Sequence, residues 1–181
     1  IRPLADPADD FFYVSDGIGT PYARLSLRRM LLKTGRQVDQ VVIGARPQGI
    51  QFTSDNKQIL VKAGDRLLFI DRESLKVVHT YDDDAIRMAS LVGVVKNKAF
   101  LSNPARKEVV VYDRMRDAAT EHKVGPCDDV IDLGADHALL LCSTQGDIWS
   151  YGVRSNILAK ATSVDPFVDT FYCPTDKTLY L

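Results

Sequence analysis

The chain has 181 residues, of which 45% are hydrophobic and 26% charged, with a formal net charge of −1. That length suits one domain with a real core, and so balanced a charge supplies no global field to draw the chain to nucleic acid or an acidic membrane. No stretch approaches the ~18 apolar residues of a membrane span, and no secretory signal pattern opens the chain. The first residue is Ile1 rather than Met, as expected of a processed chain or an excised piece.

Along the chain, FFYVSD at 11 to 16 fits a strand, and KTGRQVDQVVIG at 33 to 44 fits a turn followed by an outer strand. Between them, GIGTPYARLSLRRMLL carries both signals. Thr20 as N-cap, Pro21 at the first position and Gly35 past the end suit a helix, whereas the alternation through Leu25, Ser26, Leu27 and Arg28 suits a half-exposed strand. The strand is the predicted state, because the repeat that runs through the rest of the chain demands one ending near Leu32.

Shifting the sequence by 40 positions aligns it with itself without a gap. Ala45, Ala85, Gly125 and Asp165 share one column. Asn56, Lys96, Asp136 and Asp176 share another, followed by Lys57, Asn97, His137 and Lys177, all suited to a tight turn. Beyond that turn, Leu60, Phe100, Leu140 and Tyr180 each sit in a short apolar run, and GIQF, ASLV, DVID and DTFY precede it. RLLFID, EVVVYD and DIWSYG supply a third strand, and LKVVHTY, ATEHKV and ILAKATSV a fourth. A period near 40 with four strands per unit predicts an all-β fold, a β-propeller of about four blades that belongs to a larger ring. The blades fall at 11–44, 45–84, 85–124 and 125–164, with a partial blade at 165–181.

The unit at 45 to 78 resembles the YVTN-type propeller repeat. The matching residues are Pro47, Gly49, Ser54, Asp55, Leu60, Val61, Ile70 and Asp71. The pattern is also similar to WD repeats, with Tyr112-Asp113 and Trp149-Ser150 near the place of the Trp-Asp pair, although no Gly-His precedes a unit. The resemblance implies a fold more than an activity. It implies a scaffold whose partners are other subunits or further parts of a longer chain. Its alternatives are a lactonase-like or sugar-ester-acting enzyme and an extracytoplasmic binding propeller.

Charged residues outside the repeat columns are the candidates for contact. Arg24, Arg28, Arg29 and Lys33, with Arg36, form a basic cluster on the irregular hairpin. Only Tyr22 could stack beside it, which favours a protein partner over nucleic acid. Asp82, Asp83 and Asp84 form an acidic run that lacks the spaced ligands of a calcium loop. Asp129 and Asp169 stand 40 apart at the starts of first strands, where a propeller's central channel would be lined, so they are possible channel acids.

His79, His122 and His137 are spread over outer strands and a turn, so no convergent metal set is expected, and no cofactor: the Cys-x-x-Cys-His of attached heme is absent. Trp149 reads as packing or an interface anchor. Cys127, Cys142 and Cys173 lie 15 and 31 positions apart. That predicts no disulfide framework and a reducing compartment such as the cytoplasm, with Cys142 a small buried hydrophobe.

Overall fold

The computed structural model describes residues 3–15, 25–173 and 175–180. The chain divides into two compact units, Ile1–Leu91 and Val92–Leu181. The first holds two four-stranded antiparallel sheets in simple up-and-down order. One contains β1 (Leu4–Ala5), β2 (Phe11–Ser15), β3 (Ser26–Leu31) and β4 (Gln37–Val42), the other β5 (Pro47–Phe52), β6 (Gln58–Ala63), β7 (Arg66–Asp71) and β8 (Val77–Asp82). The ambiguous segment is thus a strand over 26–31. Its proposed helix start at Thr20 and Pro21 lies outside the described residues. The first sheet also has an inner strand that sequence reading missed, since two residues carry no periodicity.

A third sheet, whose first strand straddles the unit boundary, contains β9 (Ser90–Val95), β10 (Lys98–Asn103), β11 (Glu108–Asp113) and β12 (Ala118–His122). The fourth contains β13 (Asp129–Gly134), β14 (His137–Cys142), β15 (Asp147–Gly152) and β16 (Ile157–Ser163). A two-stranded sheet of β17 (Phe171–Cys173) and β18 (Thr178–Tyr180) follows. The central strands of the second and third sheets carry buried, largely apolar runs because both of their faces are covered: β11, EVVVYD, is buried from Glu108 to Tyr112. The outer strands β4, β8, β12 and β16 carry mostly exposed or half-exposed residues.

The aligned columns have a physical meaning in the structure. Leu60, Phe100 and Leu140 are buried, whereas Tyr180, in the two-stranded sheet, is 52% exposed. The turn column is left-handed, with φ of 56° at Asn56, 54° at Lys96 and 72° at Asp136. Asn and Asp tolerate that conformation through local hydrogen bonding, and lysine does so at some steric cost. In the last sheet the left-handed residue is Lys177, one place later. In three sheets the residue one or two past the third strand's apolar run donates its N–H back to this first turn: Arg72 to Lys57 O, Arg114 to Asn97 O and Val153 to Asp136 O. Gly49 has φ 145°, and a Cβ there would stand 2.5 Å from Leu91 Cβ. The Pro-x-Gly of the second unit is therefore a close approach between inner strands.

Each unit has its own core. Tyr13, Leu27, Ile59, Val61, Leu68 and Ile70 pack in the first. Val95, Phe100, Val109, Val111, Leu140 and Tyr151 pack in the second, with the Phe100 and Tyr151 rings edge to face at 5.1 Å. The second core also overturns the reading of the cysteines. Cys127 and Cys142 form a disulfide, and both are buried. The sequence hid this pairing because it depends on strand register: Asp128 donates its N–H to Leu141 O, which brings the residues preceding β13 beside the end of β14. The case for a reducing compartment loses its basis with the free thiols. Among the described residues no helix is long and apolar enough to cross a membrane.

Candidate interaction site

The basic hairpin is β3, its turn and β4. Arg24 and Tyr22 lie outside the described residues. Arg28 is half-buried in β3, opposite Val14 and Gln40. Arg29 is an internal tie rather than a free contact. Its Nη1 donates to the carbonyl oxygens of Arg72 and Glu73, each at 3.1 Å. Its guanidinium lies 5.3 Å from the Phe11 ring centroid and 3.6 Å from the Asp39 carboxylate. Arg72 in turn donates its Nε to Asp6 at 2.8 Å and pairs with Asp9. Burial would raise the Asp6 pKa, but hydrogen bonds from Ala8 and Arg72 hold it below the usual carboxylate range.

The hairpin's outward surface comes from other residues. Lys33 is 83% exposed, 3.6 Å from Asp10, and Arg36 is exposed. Leu32, Val38 and Val42 are exposed at 59%, 47% and 48%. The sequence reading missed this apolar component. Its signal was there in QVDQVV, an outer strand in which Val41 packs against the core while Val38 and Val42 stay exposed.

The acidic run is mostly engaged locally. Asp82 ends β8 opposite Arg66. Asp83 caps a short 3-10 turn, accepting from the Ala85 N–H and the Tyr81 hydroxyl, both at 2.8 Å. Asp84 pairs with Arg87 at 2.6 Å. That is capping chemistry rather than a cation loop.

Asp129 and Asp169 are brought to one depression of about 180 Å3, which Asp128, Ser143, Phe167 and Val168 also line. Asp129 opens β13, and Asp169 lies in the loop before β17. Desolvation raises the Asp129 pKa and the Asp128 charge adds to it, against a hydrogen bond from the Val130 N–H. Asp128 accepts from the Ser143 N–H at 2.9 Å and from its hydroxyl. Among the described residues no group of three or more His, Cys, Asp or Glu could hold a metal ion.

The histidines serve packing where their contacts are visible, His79 against Phe69 and His122 against Tyr151. His137 is exposed at the start of β14. Trp149 is half-buried against the second core, with Lys160 Nζ 5.8 Å from its ring centroid.

No protein-family model matches the sequence, and a search of the curated proteins finds no match. Solved structures do resemble it. Hsv2 of Kluyveromyces marxianus is 10% identical with a TM-score of 0.65, covering 95% of this chain and 56% of its own. The WD40 repeats of RRP9 are 12% identical with a TM-score of 0.63, covering 90% and 52%. Hydrazine synthase of Kuenenia stuttgartiensis is 13% identical with a TM-score of 0.64, covering 98% and 53%. This chain thus spans about half the length of the structures it matches. Likeness at such low identity speaks for fold alone: with four four-stranded antiparallel sheets in succession, the chain is a run of β-propeller blades similar to those of WD40-repeat propellers.

Proposed function

We propose that this run of blades acts as a non-catalytic platform for protein–protein interaction within a larger protein or assembly. One observation carries the reading. Core and turn residues occupy the repeat columns, while the β3–β4 hairpin presents Leu32, Lys33, Arg36 and Val38, a mixed basic and apolar surface. Forty residues on, Lys76 and Val78 match Arg36 and Val38, but Arg72 and Glu73 stand at the places of Leu32 and Lys33, so the Leu32–Lys33 tip is particular to this hairpin. Such a surface suits an acidic partner with a few apolar side chains, because charge steers the encounter and apolar contact holds it. The WD40-repeat neighbours support a scaffold role at the same coarse level. The Cys127–Cys142 disulfide supports an oxidising compartment, in which the extracytoplasmic binding propeller is one form of this platform.

The test is affinity capture by tagged full-length protein, wild type against the double variant Lys33→Glu/Arg36→Glu. Both side chains are exposed, so the variant should unfold within about 0.5 kcal/mol of wild type. It should lose a salt-sensitive set of partners. Unaltered capture rejects the hairpin as the contact.

The enzyme reading has one observation behind it, the shared depression of Asp129 and Asp169 with the raised Asp129 pKa. Turnover of a lactone or sugar ester by purified protein, abolished by Asp129→Ala or Asp169→Ala, would establish it in place of the platform.

A further inference from the structure

The turns of the third and fourth sheets enclose a cleft of about 360 Å3, lined by Lys96, Asn97, Lys98, Asp113, Asp136 and Arg154, with Val153 beneath. Its charge is organised around two carboxylates. Asp113 accepts from Lys98 Nζ at 2.6 Å and from Asn97 Nδ2 at 2.8 Å, with Arg116 Nε at 3.7 Å. Asp136 pairs with Lys96 and, at 2.6 Å, with Arg154. Each acid is thus flanked by two cations. Lys98 is nearly buried and Lys96 is 42% exposed, whereas Arg116 and Arg154 are 67% and 86% exposed, so these two guanidinium groups face solvent.

Arg116, in the turn after β11, and Arg154, in the turn after β15, offer two exposed guanidinium groups on different sheets, each able to receive one carboxylate of an extended peptide. Met115, between Asp113 and Arg116 in sequence and 81% exposed, offers an apolar contact beside them. Among the described residues no aromatic side chain lines the cleft on which a base could stack. We propose that this cleft binds an acidic peptide segment of a partner protein, with Arg154 and Lys96 receiving one carboxylate and Arg116 with the Asp113 centre receiving the next. The inference rests on the platform reading for its kind of partner, but uses a different surface from the basic hairpin.

Asp136 is then an internal competitor that holds Lys96 and Arg154 in place of the ligand. This allows a variant that gains function. Asp136→Asn keeps a side chain that tolerates the left-handed backbone while removing the competing charge.

The probe is a fluorescein-labelled tetraglutamate peptide, with tetraglutamine as its neutral control, titrated with full-length protein by fluorescence anisotropy at about 20 mM salt, where screening is weak. Wild type should bind the glutamate peptide saturably and the glutamine peptide far less. Arg116→Glu/Arg154→Glu should weaken binding by about tenfold or more. Asp136→Asn should strengthen it several-fold, an outcome that general damage to the fold cannot produce. Lys33→Glu/Arg36→Glu, on a separate basic surface, should weaken it much less than the cleft variant does.

Absence of saturable binding, equal binding of the two peptides, weaker binding by Asp136→Asn, or tighter binding of a phosphoserine peptide or of inorganic phosphate would each overturn the proposal. So would loss of binding in the hairpin variant equal to that in the cleft variant. If the peptide fails while partner capture persists, the cleft assignment falls and the platform stands; if the full-length protein captures no partner either, the platform falls too.

Discussion

Lys62 shows how a single residue can set a pH dependence that its neighbours in sequence do not advertise. It lies in the apolar run of β6 and is fully buried, with Nζ donating to Gln48 Oε1 at 3.0 Å and to Gly64 O. Burial lowers its pKa from 10.5 to about 8, only partly opposed by Asp65. Between those two values the unfolded chain binds more protons than the folded one, so stability rises with pH across that window and is lost as pH falls through about 8. The expected result is that wild type gains stability toward Lys62→Met between pH 7 and 10 in chemical denaturation; parallel curves for the two proteins would refute the assignment. Phe100 is the opposite case, a residue whose role was legible. Its place in the repeat column predicted burial, and the structure leaves it 0% exposed against Tyr151. Truncation to alanine should cost about 3 to 5 kcal/mol in urea unfolding, whereas a loss under about 1 kcal/mol would mean that the site is not close-packed.

At the level of elements, third strands were read most accurately. RLLFID, EVVVYD and DIWSYG coincide with β7, β11 and β15. In β7 and β11 a strand buried on both faces writes a continuous apolar run into the sequence, while β15, with only Ile148 and Tyr151 buried, was legible from its place in the repeat. The β11–β12 and β15–β16 turns are locked by side chains that this pattern does not register: Tyr112 donates its hydroxyl to Asp117 at 2.6 Å, and Tyr151 to Asn156 at 2.8 Å. β1 was lost to its shortness, and the disulfide to its dependence on pairing between β13 and β14. The bond closes a loop of 15 residues, for which chain entropy gives about 3 kcal/mol of stabilisation. Under denaturing, non-reducing conditions a thiol reagent should therefore label one cysteine, Cys173, and reductant should lower the thermal midpoint. Labelling of all three cysteines would contradict the pairing. The candidate site was less legible than the fold. Arg29 and Lys33 look alike as members of a basic cluster, and only tertiary contacts show that the first is an internal tie and the second faces outward.

For the molecule as a whole, a repeated set of core and turn columns specifies blades, and the surfaces between the columns carry whatever is particular to this chain. Two such surfaces lie in separate units, the hairpin of Lys33 in the first and the cleft of Lys96 in the second. A platform predicts that bound partners touch these surfaces, while an enzyme requires no lasting partner at either. Lysine-directed cross-linking of the full-length protein with its captured partners, read by mass spectrometry, tests this most directly. The platform account predicts partner cross-links at Lys33 and Lys96 that disappear when salt releases the complex. Cross-links confined to this chain alone, or partner links that avoid both lysines, would contradict it.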